Sequence, residues 1–291
     1  MRRLSLAILA AILGSGPARA QPAEHETTRI ADGVYQFRYR SHNTLFVVTG
    51  DGVIAFDPIS NEAAAHYARE IRRVAPDAPL RAIVYSHDHA DHVTGARVLA
   101  EPFGGDVPIL AHAHAHAKIV AAADPDRPPP DVTFSDRLTL HLGTRPVELH
   151  YLGKSHSDNL IVGYLPDQKI AFAVDFVSND RVGYRDLPDV HLPELFEAMK
   201  RLQELEYETI VFGHGPPGDR ASVDRQIQYY SDLRAAVRRA FYSGVSEGEA
   251  VARVQLPEYR DWRGYDDWFK MNVRAMYRWV AAEGGAERGQ E

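Results

Sequence analysis

The sequence predicts a layered α/β domain. Short apolar runs with strand character alternate with stretches of helical spacing, and sheets with helices outside them pack as layers around a core. Hydrophobic content of 45% and charged content of 25% over 291 residues are those of a globular chain long enough to bury a large core. The rhythm of strands and helices runs twice along the chain, without a sequence repeat.

The first twenty residues stand apart. Arg2 and Arg3 precede an apolar run from Leu4 to Leu13, and Ala18-Arg19-Ala20 closes it. This order predicts a secretory signal peptide over residues 1–20, cut before Gln21, and hence a periplasmic or secreted protein with no membrane segment in its mature form. One domain is expected over 21–291. Its first strands are VYQFRY, TLFVVT and VIAFD, separated by Ser41-His42-Asn43 and Gly50-Asp51-Gly52. A helix follows over 62–74, then a buried strand LRAIVYS, a helix near Val93 to Ala100, and a strand VPILA. Strands VTFSDRLTLHL, VELHYL, NLIVGYL and KIAFAV come next, then a long loop from Asp175 to His191. Helix 193–205 opens on Pro193, a residue suited to the first helical turn, and TIVFGHG reads as strand and turn. From about residue 220 the chain is helical. Phe269, Val273, Met276 and Val280 mark a buried helix face there, and a disordered tail is expected from Gly284.

Charge and composition exclude several functions. Without Arg2, Arg3 and Arg19 the mature chain has 30 basic against 40 acidic residues and no basic stripe, so nucleic acid is not an expected partner. With no cysteine, thiolate is absent as metal ligand and as nucleophile. A small-molecule substrate is the expected partner.

Two histidine clusters compete for attention. YSHDHADH, Tyr85 to His92, follows a strand. His87 and His89 can face one way in extended chain, while Asp91 and His92 can turn to a second place nearby. Imidazole and carboxylate suit divalent zinc-like ions, so this segment supplies two half-sites. His156 in GKSHSDN, Asp175 ending KIAFAVD and His214 in FGHG also stand at strand ends, where a sheet protein gathers a site. AHAHAHAK, Ala111 to Lys118, runs instead into a good helix former. On a helix His112 and His116 share a face while His114 points away, which favours solvated or capping histidines over a metal site.

His87, His89, Asp91 and His92 form an HxHxDH motif, and with His156, Asp175 and His214 following in order the chain resembles the metallo-β-lactamase superfamily over roughly residues 30–225. The resemblance implies an αββα sandwich of two mixed β-sheets flanked by helices, with metals at one edge. It implies that His87, His89 and His156 hold one divalent ion, that Asp91, His92 and His214 hold the second, and that Asp175 bridges them. Zinc is the expected metal, with iron or manganese as alternatives. Two ions sharing a water lower its pKa from 15.7 towards about 7, giving a hydroxide that attacks an ester, thioester, lactone or amide carbon. Asp91 is the candidate to orient it and move its proton. Asp57, ending VIAFD, is a candidate to fix a ligand imidazole, with an ordinary turn role as the alternative.

Substrate residues are less marked. Related β-lactamases carry cysteine at the position of Asp175 and lysine at that of Ser178, so β-lactam hydrolysis is an alternative rather than the first expectation; Arg181 or Arg185 would have to supply the missing cation. Tyr184 is a catalytic candidate by likeness to lactonases, for oxyanion stabilisation, with packing as the competing role. His42 and His191 are candidates to touch substrate. An iron-dependent oxidoreductase, such as a persulfide dioxygenase, is a second alternative.

Overall fold

A computed structural model describes residues 23–288, so the signal-peptide segment lies outside the described residues. β1 (His25–Ala31), β2 (Val34–Tyr39), β3 (His42–Thr49) and β4 (Gly52–Phe56) form an antiparallel meander. After α1 (Asn61–Val74) comes β5 (Leu80–Val84), then α2 (Ala90–Val93), α3 (Ala96–Ala100), β6 (Ile109–His112), α4 (Ala113–Ala122) and β7 (Val132–Phe134). β4 to β7 pair in parallel, completing a seven-stranded mixed sheet in chain order. β8 (Arg137–Leu142), β9 (Arg145–Tyr151), β10 (Ile161–Leu165), β11 (Ile170–Ala173) and, after α5 (Leu192–Glu204), β12 (Thr209–Phe212) form the second sheet. Its order is β12-β11-β10-β9-β8, antiparallel except for the β11/β12 pair. Helices α6 (Arg220–Tyr242), α7 (Glu247–Arg253) and α8 (Tyr265–Arg288) end the described chain.

Side-chain alternation along the strands sets the layers. On β4, Ile54 and Phe56 join the core between the two sheets, while Val53 and Ala55 face α1, α3 and α4. All five β4 residues are buried, as expected for a strand covered on both faces. Phe56 meets Phe172 of the other sheet edge-on at 5.2 Å. Gly163, in mid-strand, is where that ring fits: a Cβ there would lie 2.8 Å from Phe56. The second sheet is covered by α5, α6 and α8, where Phe269, Val273, Met276 and Val280 are buried as their spacing predicts. The layers are therefore helix, sheet, sheet, helix, the αββα sandwich.

Four sequence expectations need correction. β1 adds a strand that the sequence pattern does not predict: its HETTRIA is polar and without a buried residue, and the strand forms by pairing with β2. VTFSDRLTLHL is two strands in different sheets: Leu110 pairs with Val132 in one and Leu149 with Leu138 in the other, the chain crossing at Ser135-Asp136. The helix after YSHDHADH is broken at Gly95, whose φ of 98° is left-handed and whose Cα rests on the Ser60 carbonyl, where a Cβ would collide. Finally, α8 continues past Gly284 to Arg288.

Candidate metal centre

All seven expected ligand residues arrive at one end of the sandwich. β5 delivers His87 and His89, and α2 carries Asp91 and His92. His156 comes from the β9–β10 loop, Asp175 follows β11 and His214 follows β12. The two sheets also meet here: Asn43 accepts no slack, its backbone N–H donating to the Gly213 carbonyl at 2.8 Å and its side chain to the Phe212 and Gly215 carbonyls. Gly213 lets β12 come this close, since a Cβ would lie 2.8 Å from Val174 and 3.3 Å from Asp175 Oδ1.

Asp175 is the hub. It sits at φ 62°, a left-handed conformation that Asp tolerates better than most residues and that concentrates at functional sites. Its Oδ2 lies 3.1 Å from His92 Nε2, 3.5 Å from His87 Nε2 and 3.7 Å from His156 Nε2, while Oδ1 lies 3.2 Å from His214 Nε2. The donor atoms of His87, His89, His156 and Asp175 lie within 4.8 Å of one another, and so do those of His92, Asp175 and His214. Asp175 thus belongs to both groups, as a bridge requires. Asp91 Oδ2 is 4.0 Å from His92 Nε2 and gathers with His214 and His42.

The arrangement fits divalent cations on its own chemistry. His87 Nε2, His92 Nε2 and Asp175 Oδ1 are buried with no hydrogen-bond partner. Orphaned buried polar atoms are costly, and these three belong to the two donor groups that share Asp175, where cations would satisfy them. His89 Nδ1 and His156 Nε2 stand 3.0 Å apart, a hydrogen bond that a shared cation could replace. Burial drives the His87 imidazole well below its ordinary pKa, leaving it neutral, the state in which a histidine ligates. Burial likewise lowers His156. His92 is opposite: burial disfavours its charge, but the Asp175 and Asp57 carboxylates outweigh that and raise it. The same field that attracts a proton there attracts a metal ion.

A second layer orients the ligands. Asp57, fully buried, accepts from Ser86 N at 2.7 Å, Ser86 Oγ at 2.7 Å and His92 Nδ1 at 2.8 Å. This fixes the tautomer that frees His92 Nε2 for a metal. Ser86 Oγ also reaches His87 Nδ1 at 3.0 Å, and His214 Nδ1 donates to the Ser41 carbonyl at 3.0 Å. Asp57 is thereby the orienting residue and not an ordinary turn residue.

His42 joins the centre. Its Nε2 is 3.2 Å from Asp91 Oδ2, and its ring meets that of His214 edge-on at 4.5 Å. It lines the cavity of about 720 Å³ in front of the ligands, together with Tyr184, Arg181 and Ser178. Tyr184 faces this space with its ring against Trp268 at 5.0 Å, so both of its expected roles remain compatible with its place. His191 and Arg185 do not line the cavity; His191 precedes α5, with its backbone N–H held by Ser155. Asp189, Arg263 and Trp268 line it too, although nothing local in the sequence marks them as cavity residues, coming as they do from a loop and from the C-terminal region.

AHAHAHAK lies apart from the centre. His112 is not on the helix with His116: it ends β6 and caps α4, its Nδ1 accepting from the His114 N–H. Its Nε2 donates to the Ser135 carbonyl at 3.0 Å and its ring stacks on Tyr151 at 4.2 Å. His112→Ala/His114→Ala/His116→Ala should leave the metal content unchanged. It should lower stability by about 1–3 kcal/mol, through the buried bonds of His112. Metal analysis and urea unfolding check this, and a His114→Ala/His116→Ala protein should unfold like the parent.

The sequence model of the Metallo-beta-lactamase superfamily matches residues 38–214, more than half the chain. The chain belongs to this superfamily. Among curated relatives, the alpha subunit of 2,4-dinitroanisole O-demethylase from Nocardioides sp. (strain JS1661) is 27% identical over 77% of this chain and 66% of its own length. The beta subunit of that enzyme is 25% identical over 77% and 70%. A linear primary-alkylsulfatase from Pseudomonas sp. (strain ATCC 19151) is 23% identical over 72% of this chain, which spans only 50% of that protein. Among solved structures, the metallo-beta-lactamase from Pontibacter korlensis superposes with a TM-score of 0.61 at 24% identity, over 71% of this chain and 99% of that one. The enzyme from Erythrobacter litoralis gives 0.60 at 20% identity, over 73% and 99%. These superpositions support the fold of this superfamily member.

Proposed function

We propose that the protein is an exported two-metal hydrolase of ester-type bonds, its mature chain starting at Gln21. The observation that carries this is the pair of donor groups, His87, His89, His156 with Asp175 and His92, His214 with Asp175, in which His87 Nε2, His92 Nε2 and Asp175 Oδ1 are buried and unpartnered among the described residues. His87, His89 and His156 would hold one ion, His92, His214 and Asp91 the other, with Asp175 between them. An all-nitrogen-and-oxygen donor set suits zinc and also admits iron or manganese. When bound, the ions supply Lewis acidity and acidify a water molecule.

The chain's own residues supply the rest. Asp91, half-exposed to the cavity, orients the attacking water and accepts its proton. His42, at 3.2 Å, steadies the Asp91 carboxylate and leads that proton towards solvent. Asp57 and Ser86 keep the ligand rings in register, and the cavity holds the substrate. Ser178 Oγ is bonded to Gln226 at 3.1 Å and offers no cation where β-lactamases use one, so β-lactam turnover is not the favoured reading.

The relatives' names widen the range of leaving groups to test, since one is a demethylase of an aryl ether and another acts on alkyl sulfates. A panel of aryl esters, lactones, thioesters, alkyl sulfates, 2,4-dinitroanisole and β-lactams, run with zinc and with a chelator, tests the proposal. Turnover of an ester-type substrate that chelation abolishes is expected. Chelator-resistant turnover, or dioxygen consumption with a persulfide and no hydrolysis, would overturn it.

A further inference from the structure

One wall of the cavity is held in place by a residue that does not line it. Residues 181–184 and 188–189, in the loop after β11, form that wall. The backbone here is unusual: Asp180, Arg185 and Leu187 stand at φ 45°, 49° and 54°, the left-handed region that residues with a Cβ avoid. Such a segment keeps its shape only where its surroundings dictate it. Val182 and Leu187 do part of this as buried apolar anchors. At the start of the segment, Arg225 of α6 holds the Asp180 carboxylate at 2.8 Å.

The middle of the loop is held by one amide. Asn272, fully buried on α8, donates from Nδ2 to the Gly183 carbonyl at 2.9 Å and to the Arg185 carbonyl at 2.6 Å. Its Oδ1 accepts from the Tyr229 hydroxyl of α6 at 2.6 Å. Both amide hydrogens therefore end on the loop, and the tyrosine fixes which way the amide faces. Among the described residues no other group bonds to either carbonyl. Gly183 lets the loop lie this close, since a Cβ there would sit 2.8 Å from Tyr230 Oη and 3.0 Å from Asn272 Oδ1. Tyr229, Tyr230 and Asn272 all lie beyond residues 38–214, the stretch matched by the superfamily model.

We infer that Asn272 is a positioning residue for substrate selection: from the C-terminal helix it fixes the loop wall of the cavity and so sets which substrates fit in front of the metal centre. The word substrate rests on the hydrolase reading, whereas the hold on the loop does not. Without the amide, two carbonyls lose their partners and the left-handed residues around them lose the bonds that keep them in place. The metal ligands make no hydrogen bond to Asn272, so the effect falls on KM for a substrate large enough to need the wall, and not on kcat or metal content.

Asn272→Leu, close in size, removes the amide, and two measurements on the metal-loaded protein read the result. Hydrogen exchange reads the loop. The amides of Val182 and Leu187, bonded to the Arg263 and Tyr184 carbonyls, should exchange about tenfold faster, with those of Ile83 and Tyr85 beside the metal ligands unchanged. Kinetics read the wall. KM for 2-naphthyl acetate should rise about tenfold with kcat within about twofold, and phenyl acetate should keep both constants within about twofold. Tyr229→Phe keeps the ring but removes the bond that orients the amide. It should move both readings the same way by about threefold, and it decides the matter if the leucine variant does not fold. Circular dichroism and metal content establish folding and loading. Faster loop exchange with neither ester cleaved by the parent supports the clamp and sinks ester hydrolysis. Unchanged loop exchange in the folded variants, or cleavage of both esters with no selective rise in KM for the larger one, overturns the inference.

Discussion

Asp175→Ala is expected to slow turnover of the best ester-type substrate by well over about tenfold and to release metal, since changes behind the ligands alone cost 10–100-fold at metal sites. The reason is geometric. One carboxylate faces His87, His92, His156 and His214, and belongs to both donor groups. Its loss takes from all four imidazoles the one carboxylate they share, leaving only Asp57 and Asp91 beside His92 and Asp91 near His214. It also strips His92 of a carboxylate that raises its pKa. Alanine at φ 62° adds backbone strain of about 1 kcal/mol, so Asp175→Asn, which tolerates that conformation, is the control that removes charge without it. Both should lose activity and metal. Asp175→Cys should keep zinc yet lose the native activity, because a thiolate on one ion does not bridge as a carboxylate does. It should not gain strong β-lactam turnover, and adding Ser178→Lys should then improve β-lactam binding. Unchanged turnover in Asp175→Ala would mean that Asp175 is not a ligand. Steady-state kinetics and metal analysis on the same preparations decide it.

The second large effect is at Asp57. Asp57→Ala removes the acceptor of three buried hydrogen bonds and one carboxylate partner of His92. Breaking such a buried charged pair costs about 3–5 kcal/mol, so the variant should unfold at much lower urea and bind metal poorly. Asp57→Asn separates the two consequences. Its Oδ1 keeps the Ser86 N–H, but its Nδ2 meets His92 Nδ1 as a donor. That forces the proton onto His92 Nε2, the atom needed as a ligand. This variant should unfold closer to the parent while losing one metal equivalent and most activity. Full metal content and turnover in Asp57→Asn would show that the tautomer of His92 does not matter.

The ligands were legible in the sequence because the short motif YSHDHADH and the later His156, Asp175 and His214 each follow or flank an apolar run that can only be a buried strand. Strand ends are fixed points, so residues there predict a place. What stayed hidden depended on the third dimension. The alternation of VTFSDRLTLHL persists while the chain changes sheets, and periodicity cannot register that. The AHAHAHAK spacing was read on a helix, yet its first histidine ends a strand, where it is a buried cap. His42 could be suspected, but its bond to Asp91 joins residues far apart in sequence. Arg263 has no local mark, and Trp268 reads locally only as core cover or an oligomer face; their place at the cavity depends on how the C-terminal helices pack against the second sheet.

The central claim is that these seven side chains hold two divalent ions. Native mass spectrometry of the full mature chain, purified without chelator and supplied with zinc, measures this directly. The expected mass is that of the chain plus two ions, with the Asp175→Ala protein retaining fewer. A parent protein that stays metal-free under these conditions while hydrolysing its substrate at full rate would contradict the account.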